Sequence, residues 1–328
     1  MYFAQLQFKH WLSITIEYLK FISRIEAVVP DAKSSLKIVG GHEATPHSHP
    51  YIVSLQLRFL WVRAHLCGGT LLSDQWILSA AHCITESWII RWLAMDAVAG
   101  LHSMDRHDKT AQVIPIEKRI AHPDYNGDIG PNDIAMLRTE MPFILTSDIQ
   151  PARLPTNFKV DYSSLTLTGW GVIRTTGLIP DLPDKLQELE VTYVPYKKCF
   201  EAINAVLEDD EDNPLDRDRN ICTGPLRGGF AACNGDSGGP LVQFVPKDAS
   251  NDIVDEPSEV TTTIQPVNSP QNASNIMDHA DYLKAEDPTP VVVGIVSWGV
   301  SPCGKKGAPT VYTKVSSYLD FINHYVNP

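Results

Sequence analysis

The sequence predicts an all-β fold, and three features of the chain support that prediction. Short runs rich in β-branched residues, such as 51–57 and 291–296, are separated by Gly, Pro and Asn residues that favour turns. Helical patterns are few, and no period of about 20 to 50 residues indicates a repeat protein. One helix is predicted at the C-terminus, where apolar residues recur at helical spacing. These residues are Val315, Tyr318, Leu319, Ile322 and Tyr325.

Charge and composition exclude several classes of protein. The chain has 39 acidic and 27 basic residues and a formal net charge of −12, which argues against nucleic acid as a partner. No stretch is long enough to span a bilayer, so we also expect no membrane partner. The cysteines and histidines lack the Cys-x-x-Cys or His-x-x-x-His spacing of a zinc site, and we expect neither a metal nor a cofactor.

A dense glycine motif around one serine indicates a reactive site. Gly-Asp-Ser-Gly-Gly-Pro occupies 235–240, and three glycines in five residues imply an unusual backbone. A serine hydroxyl is a poor nucleophile, so Ser237 needs a neighbouring base and a group that orients the base. The candidates are His82, within Ala-Ala-His-Cys, and Asp133, which precedes an apolar run. Each residue alone is weak evidence, whereas three motifs in the order His, Asp, Ser are much stronger.

These motifs resemble those of the chymotrypsin and trypsin family of serine endopeptidases. The resemblance also includes Ile-Val-Gly-Gly at 38–41, Gly-Trp-Gly at 169–171 and Ser-Trp-Gly at 297–299. It implies two packed six-stranded antiparallel β-barrels that share a cleft, the first within 38–145 and the second within 146–328. We expect the C-terminal helix to pack against the second barrel.

The resemblance implies a role for each candidate. Ser237 would attack the scissile carbonyl, His82 would act as general base and then general acid, and Asp133 would orient and stabilise the imidazolium. The backbone N–H groups of Gly235 and Ser237 would form the oxyanion hole. The substrate would bind along a strand that contains Ser297, Trp298 and Gly299.

The six cysteines are consistent with the same family. Six cysteines alone allow about 15 pairings, and the resemblance implies Cys67 with Cys83, Cys199 with Cys222, and Cys233 with Cys303. Trypsins carry a further disulfide where this chain has Leu165 and Gln243, so both partners of that bridge are missing together. Disulfides indicate an oxidising compartment, and we expect a secreted, extracellular protein.

The first 37 residues are predicted to be a leader and activation peptide. They are a poor signal peptide, because charged residues interrupt every apolar run; these are Lys9, Glu17, Lys20, Arg24 and Glu26. We favour a wrongly assigned start, with an atypical leader or a leader further upstream as alternatives. Cleavage after Lys37 by a trypsin-like protease would free the ammonium of Ile38. By the resemblance, that ammonium pairs with Asp236 and orders the oxyanion loop.

Three aligned positions define the predicted specificity pocket. Ala231 stands where trypsins place the aspartate that meets Arg or Lys, so basic side chains should be disfavoured. Gly299 leaves the pocket mouth open, and Thr310 occupies a wall position that deep pockets give to glycine. We therefore expect cleavage after small or medium uncharged residues, as in elastase-like members, with aromatic residues as the alternative.

An acidic insertion at 244–290 departs from the family pattern. It contains nine acidic residues, two basic residues and six prolines, which predicts a solvated, largely disordered loop. Asn272 begins an Asn-Ala-Ser glycosylation sequon. The acidic run at 208–212 lacks the alternating ligands of a calcium loop, and Leu101 stands where the family's calcium loop places an acidic ligand.

Two other classes of function remain open. A catalytically silent homologue that acts as a binding or cofactor module would keep the fold, although the complete set of three residues argues against it. A non-proteolytic esterase of the α/β-hydrolase type would carry its residues in the order Ser, acid, His. The expected partners are protein or peptide substrates, the activating protease and protein inhibitors of a monomeric enzyme. Digestive and immune-cascade roles both fit.

Overall fold

A computed structural model describes most of the chain from residue 40 onward, within one compact unit, Leu36–Pro328. The described residues are 40–86, 88–105, 109–156, 160–171, 174–176, 179–181, 183–207, 212–229, 231–246, 288–300 and 303–326. The predicted leader, the Lys37–Ile38 cleavage site, Asn272 and residues 247–287 of the predicted insertion lie outside them.

The first barrel closes six antiparallel strands in the order β2-β3-β4-β7-β6-β5. Its strands are β2 (Ile52–Phe59), β3 (Val62–Leu71), β4 (Trp76–Ser79), β5 (Ala94–Ala99), β6 (Gln112–Ala121) and β7 (Ala135–Thr139). Apolar side chains of these strands fill the interior, with Leu55, Ile77 and Leu137 among those fully buried. This arrangement confirms the predicted barrel architecture for the first half of the chain.

The second barrel closes six antiparallel strands in the order β8-β11-β12-β15-β14-β13. Its strands are β8 (Leu165–Gly169), β11 (Gln187–Val194), β12 (Asn220–Gly224), β13 (Pro240–Val245), β14 (Thr289–Gly299) and β15 (Thr310–Lys314). Two short strands, β9 (Arg174–Thr176) and β10 (Ile179–Asp181), form a separate hairpin. Strand β1 (His42–Glu43) pairs antiparallel with Gln187 and Glu188 at the start of β11. The segment that precedes the first barrel therefore contacts the second barrel.

Four short helices and one 3₁₀ turn accompany the barrels in the described part of the chain. They are α1 (His82–Thr85), α2 (Trp88–Trp92), α3 (Tyr196–Asn204), the 3₁₀ turn η1 (Val315–Tyr318) and α4 (Leu319–Val326). None of the helices in the described ranges is long and apolar enough to cross a bilayer. The predicted C-terminal helix is therefore present as η1 followed by α4.

The C-terminal helix packs against the first barrel, so the expectation that it packs against the second was wrong. The ring of Tyr325 lies 5.4 Å from that of Trp76 in β4, and the ring of Tyr318 lies 5.3 Å from that of His122, just after β6. Helical spacing identifies the buried face of a helix but not its partner, because the path of the chain after β15 decides where the helix lies.

The two barrels share a packed interface. The core of the first barrel also includes Val242, Val292 and Ile295, which come from β13 and β14 of the second barrel. Three disulfides lie within the individual barrels, one in the first and two in the second, and their pairing is the one that the resemblance implies: Cys67–Cys83, Cys199–Cys222 and Cys233–Cys303. Strands β13 and β14 remain paired as far as Val245 and Thr289, and the chain between these two residues carries the acidic insertion.

A double-mutant cycle tests the position of the C-terminal helix. We expect Trp76→Leu and Tyr325→Leu to show a coupling free energy of about 0.5–1.5 kcal/mol, because each substitution removes the same contact between two rings. The measurement is the free energy of unfolding in urea of both single variants and the double variant. Additive losses would mean that the two rings do not meet.

Candidate active site

A cleft of about 740 Å³ lies between the barrels and contains all three candidate catalytic residues. His82 begins α1 directly after β4, Asp133 precedes β7, and Ser237 lies in the loop before β13. The three predicted pocket residues, Ala231, Gly299 and Thr310, line the same cleft. The fold therefore brings together residues that are far apart in the sequence, such as His82 and Ser237.

His82 and Asp133 are joined by two hydrogen bonds. The ring Nδ1 of His82 lies 2.8 Å from Oδ2 of Asp133, and the backbone N–H of His82 donates to Oδ1 at 2.9 Å. Because an ionised carboxylate can only accept, Nδ1 carries the proton and Nε2 of the neutral ring keeps its lone pair. That tautomer is the one a general base needs.

The second barrel holds Asp133 in place. The hydroxyl of Ser297 in β14 donates to Oδ2 of Asp133 at 2.6 Å, and the hydroxyl of Thr313 in β15 donates to its backbone carbonyl at 2.8 Å. Asp133 is almost fully buried, and the bonds that its carboxylate accepts from His82 and Ser297 replace the water that its charge has lost. The bond from Thr313 holds its backbone. Residues from both barrels thus fix one carboxylate.

The residue before Asp133 has an unusual backbone. Asn132 has φ of +66°, a left-handed conformation that asparagine tolerates better than most residues. Its N–H donates to the hydroxyl of Tyr318 at 2.8 Å, and its side-chain oxygen accepts from the guanidinium of Arg219 at 3.2 Å. The C-terminal turn and the second barrel therefore also set the direction in which Asp133 enters the cleft.

The surroundings of His82 favour its protonated form. Burial acts to lower the pKa of His82, but the hydrogen bond and charge of Asp133, with the charge of Glu86, outweigh it, so the pKa is raised above the ordinary value. The site therefore stabilises an imidazolium better than water does. A base that must hold a proton during a reaction benefits from that property.

Glycine permits the backbone around Ser237. Gly235 has φ of +97° and Gly238 has φ of +74°, and a side chain at Gly238 would collide with Ser79. The N–H groups of Gly235 and Ser237 donate to no residue that the structure describes, which leaves them available to a ligand in the cleft. Within the same residues, no hydrogen bond joins the Ser237 hydroxyl to His82. Such bonds are often long before substrate binds.

A second histidine supports this loop. Nε2 of His65 lies 2.9 Å from the carbonyl of Gly235, and Nδ1 lies 2.8 Å from the hydroxyl of Ser54. Burial lowers the pKa of His65 to about 4, opposed only by the bond to Gly235, so the ring is neutral at pH 7. Nε2–H must then donate to the carbonyl while Nδ1 accepts from Ser54, which fixes the position of Gly235.

Asp236 lies completely buried behind the loop. Its carboxylate accepts from the N–H of Gly171 at 2.8 Å and from that of Cys233 at 2.9 Å. Burial raises the pKa of Asp236 to about 6, although these two bonds oppose the change. In the described residues no cationic side chain pairs with this carboxylate, so its ionisation is costly.

The pocket beside Ser237 is lined by small and apolar groups. Ala231 is buried, and the buried Thr310 accepts the N–H of Ala232 at 3.3 Å through its hydroxyl. A side chain at Gly299 would meet only one backbone oxygen at 3.8 Å, so the pocket mouth is open. Trp298 lies beside Gly299 and also lines the cleft.

The geometry gives no support to a metal at this site. Cys67, His82 and Cys83 place possible ligand atoms within 4.8 Å of one another. Both sulfurs belong to the Cys67–Cys83 disulfide and cannot act as thiolate ligands. Leu101, at the predicted calcium-loop position, is buried.

Several supporting residues were not identified from the sequence. Ser297 was assigned to the substrate strand, but its hydroxyl binds Asp133, and Thr313, His65 and Tyr318 had no predicted role in the site. Each of these residues acts through a contact with a residue distant in the sequence or through a backbone atom. No local pattern could have indicated those contacts.

Comparison with known proteins identifies many relatives of one kind. The trypsin family model matches residues 38–246 and 282–322, and the interval between the two parts falls in the acidic insertion. Lectizyme of Glossina austeni is 29% identical over 92% of this chain and 90% of its own length. Trypsin-4 of Rattus norvegicus is 32% identical over 87% of this chain and 88% of its own length. Kallikrein-8 of Homo sapiens is 30% identical over 88% of this chain and 86% of its own length.

The buried carboxylate of Asp236 predicts an unusual pH dependence of stability. Its pKa in the folded, uncleaved chain, about 6, is above the unfolded value, so the folded state binds the extra proton between pH 4 and 6. Stability should therefore fall as pH rises through this range, by about 3 kcal/mol relative to an Asp236→Asn variant. The measurement is urea unfolding from pH 4 to pH 7.

The exposed Asp320→Asn is the matched control for this measurement. It should leave the pH profile of the wild-type chain unchanged. A wild-type stability that rises through the interval relative to Asp236→Asn would contradict the assignment.

Proposed function

This chain belongs to the trypsin family of serine endopeptidases, and on that premise we propose that it hydrolyses peptide bonds through an acyl-enzyme formed on Ser237. The observation that carries the proposal is the 2.8 Å contact between His82 Nδ1 and Asp133 Oδ2, in the cleft that Ser237 also lines. It gives His82 the tautomer and the raised pKa of a general base.

The reaction follows from these positions. His82 Nε2 takes the hydroxyl proton of Ser237 as its oxygen attacks the scissile carbonyl, and Asp133 stabilises the resulting imidazolium. The oxyanion of the tetrahedral intermediate accepts from the N–H groups of Gly235 and Ser237. His82 then protonates the leaving amine, and the acyl group stays on Ser237. Water, deprotonated by the same ring, attacks the ester, and the free acid leaves as Ser237 regains its proton.

The three residues should behave as one unit. We expect Ser237→Ala, His82→Ala and the double variant to lose kcat to similar extents, by about 10⁴-fold or more each, because either change alone disables the same step. The measurement is steady-state hydrolysis of a peptide substrate by the activated enzyme. Exposed Ser147→Ala and His324→Ala serve as controls and should retain full activity.

A fluorophosphonate probe separates an enzyme from a silent homologue. The probe should label Ser237 in the wild-type enzyme and fail to label the Ser237→Ala variant. Wild-type protein that resists the probe would instead support a binding or cofactor module. In the kinetic experiment, a loss of kcat in the double variant equal to the product of the two single losses would contradict the prediction that Ser237 and His82 act as one unit.

We further propose that the pocket prefers small or medium uncharged residues before the scissile bond. Ala231 offers no charge to Arg or Lys, and burying an unpaired cation against it would cost several kcal/mol. Thr310 lies on the pocket wall and is anchored to the N–H of Ala232, so its methyl group cannot easily turn away. The depth of the pocket is limited at this residue, which disfavours aromatic rings.

Thr310→Gly tests this limit on pocket depth. We expect the ratio of kcat/KM for a Phe substrate to that for an Ala substrate to rise about tenfold or more, because the variant removes the wall that excludes the ring. Thr310→Val keeps the volume and should keep the original preference. A wild-type enzyme that already prefers Phe would favour the chymotrypsin-like alternative, and dominant cleavage after Arg or Lys would refute the pocket assignment.

The enzyme is proposed to be made as a secreted zymogen and cleaved after Lys37. Three disulfides support an oxidising, extracellular location. Asp236 is a buried carboxylate whose described partners are two N–H groups, and the ammonium of a freed Ile38 is the cation that would make its ionisation favourable. Sequencing the N-terminus of active enzyme should return Ile38, and another residue would contradict this activation site.

A further inference from the structure

One end of the first barrel exposes an apolar hairpin that the catalytic site does not use. The apolar tip, defined here as Phe59, Leu60, Trp61 and Val62, joins β2 to β3 through a two-residue turn. Trp61 is 84% exposed and Leu60 is 67% exposed. Phe59 and Val62 are 37% and 36% exposed. Four consecutive exposed apolar residues, two of them largely exposed, are unusual for a soluble surface and indicate a contact with another apolar phase or molecule.

The turn itself does not explain these residues. Leu60 has φ of +54°, in the left-handed region where Gly, Asn or Asp is favoured and a bulky side chain is strained. A hairpin selected only for stability would place glycine at this position. The stability of the turn therefore does not explain why leucine occupies this position.

The shape of the tip favours a lipid surface over a protein partner. Successive side chains of a strand point to opposite faces, so four exposed apolar residues in a row make both faces of the ribbon apolar. A docked protein would cover one face of this ribbon and leave the other in water. A bilayer would surround both faces.

Two arginines lie at the base of the tip. Arg58 and Arg63 are directly opposite each other, one register pair before Phe59 and Val62. Both contact the buried carboxylate of Asp96, Arg63 through Nε at 2.7 Å and Arg58 through a guanidinium nitrogen at 3.6 Å. Two cations share one anion, so the base keeps one net positive charge. That charge is complementary to lipid phosphates.

The dimensions of the tip agree with an interfacial position. The chain extends two residues beyond the arginine pair, which is about 7 Å at about 3.4 Å per residue. Interfacial segments enter a bilayer by about 5–10 Å, with basic side chains at the level of the headgroups. The tip would thus reach the acyl boundary while Arg58 and Arg63 remain among the phosphates.

A second exposed tryptophan lies at the same end of the barrel. Trp92 ends α2 and is 84% exposed. Its segment is held in place by Arg119, which donates to the carbonyls of Ile90 and Leu93 at 2.8 and 2.7 Å. Strand β5 begins at Ala94, opposite Arg58, so Trp92 comes only two residues before the base of the tip. Tryptophan is enriched at membrane interfaces because its ring is largely apolar and carries one polar N–H.

We propose that this end of the first barrel docks on a phospholipid bilayer, with the apolar tip inserted and Trp92 and the arginine pair at the headgroups. The expectation of no membrane partner rested on the lack of a spanning segment, and that criterion does not detect a four-residue interfacial tip. Docking would hold the cleft near membrane-associated proteins. It is independent of catalysis, so Ser237→Ala should dock as the wild-type chain does.

Sedimentation with vesicles tests the proposal on the full chain. We expect binding to vesicles of phosphatidylcholine and phosphatidylserine, and a loss of at least about tenfold in affinity for Leu60→Ser/Trp61→Ser, since burial of these two side chains supplies most of the binding. The matched control is Met141→Ser/Ile144→Ser, which alters two exposed apolar residues at the opposite end of the barrel and should bind normally. Hydrolysis of a small peptide should be equal in all three proteins.

Other results would overturn the docking model. Wild-type chain that stays in the supernatant, or tip and control variants that bind equally, would contradict it. A concentration-dependent dimer in the absence of vesicles that the tip variant abolishes would assign the tip to a second copy of the chain instead. If, in the absence of vesicles, the tip variant alone cleaved a protein substrate more slowly than the wild-type chain, the tip would be assigned to a protein partner.

Discussion

The site depends on one buried carboxylate that both barrels must hold. Asp133 comes from the first barrel and accepts from two nitrogens of His82, while Ser297 and Thr313 of the second barrel donate to it. A carboxylate withdrawn from water is costly unless its oxygens are hydrogen-bonded, so the arrangement is stable only when the barrels meet in this register. The same contact that satisfies the charge orients the imidazole, and structural and catalytic requirements therefore coincide at Asp133.

The loop that carries Ser237 shows the opposite electrostatic situation. Asp236 is also fully buried, but its described partners are two backbone N–H groups, and its pKa is raised to about 6. A neutral His65 holds the carbonyl of the adjacent Gly235. One side of the loop is thus fixed by neutral hydrogen bonds, while the other contains a charge that lacks a described cation. A new ammonium group next to Asp236 would supply the missing cation and stabilise its charge, and this is the basis of the proposed activation.

The sequence was sufficient to predict features that depend on residues close together in the chain. Glycine density around Ser237, the apolar run after Asp133 and the turn residues between short strands indicated the reactive motif and the all-β fold. Features set by long-range contacts were not accessible. The helical spacing of the C-terminus predicted the buried face of α4 but assigned it to the wrong barrel, and the contact of Ser297 with Asp133 spans 164 positions. Exposure of Trp61 is likewise a property of the folded surface, because a large apolar side chain is ordinarily expected to be buried.

Nuclear magnetic resonance titration of the His82 ring measures the central interaction most directly. In the wild-type chain, Asp133 outweighs burial, so the pKa of His82 should lie above its ordinary value. In an Asp133→Asn variant the charge is gone and burial acts nearly unopposed, so the pKa of His82 should fall below that value. A His82 pKa that is the same in both proteins, or that is already depressed in the wild-type chain, would contradict the account.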